Sequence, residues 1–238
     1  DGAANLGAEQ DDFRHAAVPI IMMFLLFVMV MTAAPALLTT TLEEKTNKVS
    51  EFLISAVTPF QLMMGKVLGA IGTSIVLAAL YLGAGAGFAA YYGVLDQIPV
   101  TLYLWFFFFL ALSVMIYGSA CVAIGSVCSE IRDAQSLMMP VTLMIMIPVF
   151  LWQPVLQAPA GTFARAATFF PPATPILLLL RNSIPPGLPA WELALGVAVC
   201  VAFMTFTVWA AAKIFRIGIL AQGQTPSIAK MISWLLSK

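Results

Sequence analysis

Long apolar runs, interrupted by short clusters of charged side chains, dominate the pattern of the chain. Five stretches contain no Asp, Glu, Lys, Arg or His, and each reaches the roughly 20 residues that a membrane-spanning helix needs: 16–42, 67–95, 97–129, 134–164 and 193–212. A sixth stretch, 166–180, is shorter and contains Pro171, Pro172 and Pro175, which remove backbone donors and oppose a continuous helix. We therefore predict an all-α polytopic membrane protein with five transmembrane helices and an outer broken or re-entrant element.

The composition narrows the class of protein further. The chain is 61% hydrophobic and only 9% charged, which excludes an ordinary soluble enzyme, because soluble domains carry about 25% charged residues. Eleven Lys and Arg balance eleven Asp and Glu, so a basic nucleic-acid-binding protein is also excluded. Cys121, Cys128 and Cys200 lie far apart in apolar runs, which leaves neither a disulfide framework nor a CxxC metal pair.

The charges of the loops predict an orientation. The loops on one side of the five spans hold Arg14, Arg165 and Arg181 with most of the acids. Because basic loops stay in the cytoplasm, we expect a plasma-membrane protein with the amino end of the chain outside and the carboxyl end inside. The more basic side carries eight Lys and Arg: Lys45, Lys48, Lys66, Arg132, Lys213, Arg216, Lys230 and Lys238.

The ends of the chain predict its organisation. The sequence starts with Asp1 rather than Met, so we expect a fragment in which residues 1–15 end an external segment and a further crossing lies upstream, giving six in the full chain. Residues 16–220 form the predicted transmembrane domain. Residues 221–238 follow as an interfacial helix, because Thr225-Pro226 can begin a helix whose apolar side chains share one face.

The loop between the first two predicted spans has an amphipathic pattern. Apolar positions recur at helical spacing through Val49, Phe52 and Val57, while Glu44 and Glu51 fall on the opposite face. This pattern predicts a surface helix at about 43–57, although a solvated connector fits the same charges. Thr58-Pro59-Phe60-Gln61 then predicts a new helix with Thr58 as N-cap and Gln61 completing a capping box.

Several of these segments resemble one family. Glu43-Glu44-Lys45, Glu51-Phe52-Leu53, Ser55–Pro59 and Gly65–Gly69 are similar to the permease subunits of ATP-binding-cassette exporters, in the NatB-like, sodium-exporter branch of the type-2 permeases. Residues 175–181, 191–192 and 209–220 also resemble that family's last span and exit. The resemblance implies a permease fold for residues 16–220, a coupling helix on an ATPase at 43–57, and outer broken helices at 166–188.

These roles define the candidate site residues. The coupling helix would present Glu43, Glu44, Lys45, Lys48, Glu51 and Phe52 to the ATPase. At the outer boundary, Arg181 and Glu192 can pair beside the prolines, either as an exit gate or as a structural ion pair. The candidate exit gate consists of Pro171, Pro172, Pro175, Arg181 and Glu192.

The chain offers no catalytic machinery of its own. Gly65-Lys66 lacks the upstream glycine and the hydroxyl of a phosphate-binding loop, so the ATP and Mg²⁺ would be held by a partner subunit. His15 cannot form a two-histidine metal site, and we predict neither a metal site nor an enzyme. Thr39, Thr40 and Thr41 could contribute to a sodium site, but helix-end capping explains them better.

These observations predict the transmembrane subunit of an exporter driven by a separate ATPase. The expected partners are a cytoplasmic ATP-binding subunit, a second permease copy or paralogue, and the lipid bilayer, with no nucleic acid. A channel that does not use ATP, or a membrane assembly scaffold, is the alternative. Gly65 and Gly69 form a GxxxG motif, which fits either a dimer face or ordinary packing within the bundle.

Overall fold

The computed structural model describes residues 2–47, 56–91 and 99–219 together with Met231 and Ser233, and it describes side chains from residue 17 onward. The predicted surface helix at 43–57 and the predicted tail helix at 221–238 therefore lie largely outside the described residues. Within them the chain forms seven helices: α1 Gly2–Thr46, α2 Pro59–Tyr91, α3 Val100–Val127, α4 Ile131–Gln157, α5 Thr162–Thr168, α6 Thr174–Ser183 and α7 Ala190–Gly218.

Five of these helices are long and apolar enough to cross a membrane. They are α2, α3, α4, α7 and the Ala17–Thr46 part of α1. The predicted all-α architecture with five spans is therefore confirmed for the described residues. Two boundaries differ from the expectation, since Glu43–Thr46 form the last turn of α1 rather than the start of a separate helix, and residues 2–15 continue α1 at its other end.

The predicted break before the last span is present. Helix α5 ends at Thr168, α6 begins at Thr174, and turns occupy residues 169–173 between them. Pro171 and Pro172 lie in these turns, where they cannot donate the backbone hydrogen bonds that a continuing helix needs. Pro175 lies in the first turn of α6, where the missing donor costs nothing.

Helix α3 is the centre of the bundle. It packs against α1, α2, α4, α6 and α7, and its buried side chains include Phe106, Phe109 and Leu110, none of which is exposed. A helix that is apolar on all sides is typical of a protein core or a membrane span, and neighbouring helices cover most of α3. All five spans leave some large apolar side chains exposed, such as Leu80 on α2, Leu104 on α3 and Phe206 on α7, which is the arrangement that a lipid environment allows.

The bundle has two ends, which we name after the charged residues that lie there. At the Lys45 end, α1, α3 and α7 terminate while α2 and α4 begin; at the Arg181 end, α5 and α6 lie beside the start of α7. Helix α7 has 29 residues and therefore separates the two ends by about 43 Å. This length exceeds the roughly 30 Å thickness of the bilayer hydrocarbon.

Glycines on α3 allow α1 to approach it closely. A Cβ at Gly125 would lie 2.7 Å from the Leu38 carbonyl oxygen, and one at Gly118 would lie 2.7 Å from Leu37 Cδ1. At Gly125 the neighbouring atom belongs to the backbone of α1, so this close approach requires that no side chain is present; at Gly118 the neighbouring atom is the end of a leucine side chain. By contrast, a Cβ at Gly65 or Gly69 on α2 would have no atom within 4 Å, so the GxxxG motif does not serve packing among the described residues.

Candidate functional site

Lys45 ties three helices together at one end of the bundle. Its ammonium donates to Ser126 O at 2.5 Å, to Val127 O at 3.4 Å and to Gly218 O at 3.0 Å. These carbonyls belong to the last turns of α3 and α7, where the helix leaves acceptors without intrahelical partners. The helix dipoles also place partial negative charge there. The last turn of α1 therefore holds the ends of α3 and α7 through one side chain.

Cys128 lies directly beside the hydrogen bonds of Lys45. It follows α3 and is fully buried, and its burial raises the pKa of the thiol to about 11, with the nearby Asp133 carboxylate raising it further and Lys45 opposing the rise. The thiol is therefore protonated at neutral pH. Lys45 accordingly neutralises no thiolate, and its charge is balanced by the helix-end carbonyls.

Glu44 and Lys66 join α1 to α2 at the same end of the bundle. The Lys66 ammonium forms an ion pair with the Glu44 carboxylate, and their side chains are only 12% and 32% exposed. The charged groups of Glu44 and Lys45 both contact neighbouring helices, and the role of the two residues in docking an ATPase stays a prediction. Glu43 is exposed, so among the charged side chains in the last turn of α1 its carboxylate is the one open to a partner.

The predicted capping box at the start of α2 is confirmed. Thr58 N donates to Gln61 Oε1 at 3.0 Å, and Gln61 N donates to Thr58 Oγ1 at 3.3 Å. Pro59 is the first residue of α2, so the helix start is fixed by both side-chain bonds and the proline φ angle. Of the other predicted coupling residues, Lys48, Glu51 and Phe52 lie outside the described residues.

Arg181 and Glu192 form a buried ion pair at the opposite end of the bundle. Arg181 Nη1 lies 2.6 Å from Glu192 Oε1, and each side chain is 1% exposed. The guanidinium also donates from Nε to Pro159 O at 2.8 Å and from Nη1 to Thr168 Oγ1 at 3.2 Å. Arg165, which is half exposed, lies 3.7 Å from the second Glu192 oxygen. The pair predicted from the sequence thus links α6 to α5 and α7.

The turn that contains the prolines is fixed to the central helix. The Tyr117 hydroxyl of α3 donates to the Pro172 carbonyl oxygen at 2.5 Å, and both residues are buried. A buried hydroxyl needs such a partner. The broken element at the Arg181 end is therefore held by two buried polar contacts, one to α3 and one to α7.

The three consecutive threonines of α1 are not helix-end caps. Thr39, Thr40 and Thr41 lie within α1 because the helix continues to Thr46, and each hydroxyl donates to a carbonyl three or four residues earlier. Expecting a helix end at these threonines was wrong. Their hydroxyl protons are used within the helix, as is common for threonine in apolar surroundings.

The inward direction of Lys45 was not among the features predicted from the sequence, although the sequence contains a signal for it. Buried positions of α1 recur with helical spacing at Val30, Ala34, Leu38 and Thr41, and the next position on this face is Lys45. A charged residue that continues a buried stripe at a helix end is suited to contact neighbouring helix termini. The predicted end of α1 before residue 43 separates Lys45 from this stripe, so the inward direction of Lys45 does not follow from that prediction.

This geometry defines a general class of protein. It is a membrane bundle of several spans in which single charged side chains connect the helix ends. Residues 4–213 match the family described as ABC-2 family transporter protein. The chain therefore belongs to the ABC-2 family of transporter proteins, which are membrane-embedded transport subunits.

Two curated relatives are similar to nearly the whole chain, and both are named as uncharacterised proteins. An uncharacterised protein of Methanocaldococcus jannaschii, MJ1024, is 25% identical over 234 residues, which cover 98% of this chain and 57% of that protein. The uncharacterised protein YhaP of Bacillus subtilis is 27% identical over 230 residues, which cover 92% of this chain and 55% of YhaP. The chain thus spans just over half the length of these relatives. No solved structure shows significant similarity to it.

Proposed function

We propose that the chain is the permease part of an exporter, of the NatB-like type, that is powered by a separate cytoplasmic ATP-binding subunit. The observation that carries this proposal is the family match over residues 4–213. ATP and Mg²⁺ would be bound by the partner, since the chain has no phosphate-binding loop. The Lys45 end would face the cytoplasm, because the more basic loops lie there, and a second permease copy or paralogue would complete the pathway.

The contacts at the Lys45 end support a path along which movement of the ATP-binding subunit would reach the transmembrane helices. The partner would press on residues 43–57, and the last turn of α1 would pass that movement on through two side chains. Lys45 holds the ends of α3 and α7, while Glu44 holds the start of α2 through Lys66. A partner shifts the bundle only if it binds one arrangement of these helices more tightly than the other, so nucleotide must act through this contact.

A charge reversal at Glu43 tests the docking surface. We expect Glu43→Lys to weaken association with the ATPase about tenfold at low ionic strength, because Glu43 is exposed in the last turn of α1 and rim charges steer association. Glu130→Lys is the matched control, since Glu130 is also exposed at the Lys45 end, before α4. The measurement is co-purification of the ATPase with the full-length protein.

Three results of this experiment would count against the proposal. If no ATPase co-purifies with the wild-type full-length protein, the channel or scaffold alternative holds. If Glu130→Lys reduces association as much as Glu43→Lys, the effect is a general loss of charge and the docking surface is misplaced. If Glu43→Lys associates with the ATPase as tightly as the wild type does, Glu43 is not part of the interface.

The broken element at the Arg181 end would act as the exit gate. We expect Pro171→Ala combined with Pro172→Ala to slow transport more than ATP hydrolysis, because removing a proline lifts a penalty of about 3 kcal/mol against a continuous helix. A shift of that size changes a conformational equilibrium more than about a hundredfold. Pro154→Ala, at an exposed proline within α4, is the control, and the readouts are cargo flux and phosphate release in proteoliposomes. Full transport by the double variant would refute the gate.

A further inference from the structure

A groove runs between α1 and α2 and ends at the Glu44–Lys66 ion pair. Its volume is about 520 Å³, which lies within the range of small-molecule sites. Small residues, Ala33 and Ala36 on α1 with Gly69 and Ala70 on α2, leave the space open. Most of the surface of the groove is apolar, so the groove suits an apolar chain along its length and a polar group at one end.

The polar end of the groove has unused hydrogen-bonding capacity. Lys66 Nζ is buried, and besides its ion pair with Glu44 it has no hydrogen-bond partner among the described residues. An ammonium carries three N–H donors, so two remain to be satisfied, and leaving them buried without acceptors is unfavourable. A ligand atom that accepts a hydrogen bond at this place would remove that cost.

The hydroxyls along the groove restrict the ligand further. Thr32, Thr40 and Thr73 line it, and each donates its proton to a carbonyl of its own helix. These oxygens therefore present only lone pairs to the groove. A head group that both donates and accepts, such as a hydroxyl or an amide, can use Lys66 and these oxygens together.

The charge of the ion pair favours an uncharged ligand. The Glu44 carboxylate and the Lys66 ammonium cancel each other, so an ionic head group would enter a partly buried place with no counter-charge, which is costly. We propose that the groove between α1 and α2 binds a neutral single-chain amphiphile as cargo, with its hydroxyl or amide head at Lys66 and its chain along Gly69 and Ala36. The role as cargo rests on the proposed export function.

The test uses the full-length protein with its ATPase in phosphatidylcholine nanodiscs. The probe is a diazirine-bearing monoacylglycerol, and a diazirine-bearing fatty acid of the same chain length is the anionic comparison. We expect the monoacylglycerol to label the groove-lining residues of α1 and α2, with competition by unlabelled monoacylglycerol, and the fatty acid to label them about tenfold less. Peptide mass spectrometry locates the labelled residues.

A blocking variant tests whether the groove itself is the site. Gly69→Phe should reduce this labelling about tenfold, because a Cβ there has no atom within 4 Å and a ring at this lining position would take up part of the groove. Gly83→Phe is the matched control, since Gly83 lies on the same helix, is equally open and does not line the groove. We expect its labelling to stay at the wild-type level.

The outcomes separate this proposal from the proposed export function. Even labelling of all outward helix faces, or equal labelling of the two glycine variants, would show ordinary lipid contact or a groove covered by another segment, and would overturn the proposal. Equal labelling by the fatty acid would overturn the preference for a neutral head. Co-purification of the ATPase, measured on the same samples, reports on the export function independently of the labelling.

Discussion

We expect the Glu192→Ala variant to lose about 3–5 kcal/mol of unfolding free energy, because it leaves the guanidinium of Arg181 buried without its counter-charge. Both side chains are 1% exposed, so water cannot replace the missing carboxylate. The remaining contacts, to Pro159 O and Thr168 Oγ1, satisfy donors but do not neutralise the charge. The loss should appear as a lower midpoint of unfolding for the purified full-length protein in detergent.

Two further variants show whether the effect comes from the unpaired charge. Arg165→Gln removes the half-exposed, more distant partner of the same carboxylate and should cost at most about 1 kcal/mol. Arg181→Met with Glu192→Leu removes both charges and should recover much of the stability, since apolar replacements of a buried pair are often neutral. If this double variant is as unstable as Glu192→Ala, the packing of this region matters more than its charge.

The second large effect is expected at the closest approach of α1 and α3. We predict that Gly125→Ala destabilises the protein by about 1–3 kcal/mol, although alanine is the better helix former by about 1 kcal/mol. A Cβ at this position would lie 2.7 Å from the Leu38 carbonyl oxygen and 3.0 Å from Thr41 Cβ. A backbone atom cannot rotate away, so the two helices must separate.

Gly72→Ala gives the opposite expectation and serves as the control. A Cβ at Gly72 has no atom within 4 Å, so only the gain in helix propensity remains and the variant should be neutral or slightly more stable. The same thermal or denaturant unfolding measurement compares both variants. A stabilised Gly125→Ala would mean that α1 and α3 are less closely packed than the structure describes.

The features that follow from local sequence were predictable. An apolar run long enough to cross a bilayer has few alternatives to a helix, so the five spans emerge from their length and lack of charge. The prolines at 171 and 172 remove backbone donors wherever they stand, so the break before α6 could be predicted. The Thr58–Gln61 capping box depends on four adjacent residues only, and it too was found.

The contacts between distant segments were not all predictable. The Arg181–Glu192 pair could be anticipated because both residues flank the same short connection. The partner of Glu44 could not, because Lys66 becomes a neighbour only once the angle between α1 and α2 is known. The role of Gly118 and Gly125 could not be predicted either. They lie seven residues apart and do not differ from other small residues of an apolar helix until the position of α1 is known.

The tie at Lys45 has a consequence for how the sequence can diverge. Its three acceptors are main-chain oxygens, which every amino acid supplies, so replacing the Ser126 or Val127 side chain leaves those acceptors in place. Lys45 has no such freedom, because only its long cationic side chain brings donors to both helix ends. The polar link between these three helix ends therefore depends on the identity of the residue at one position.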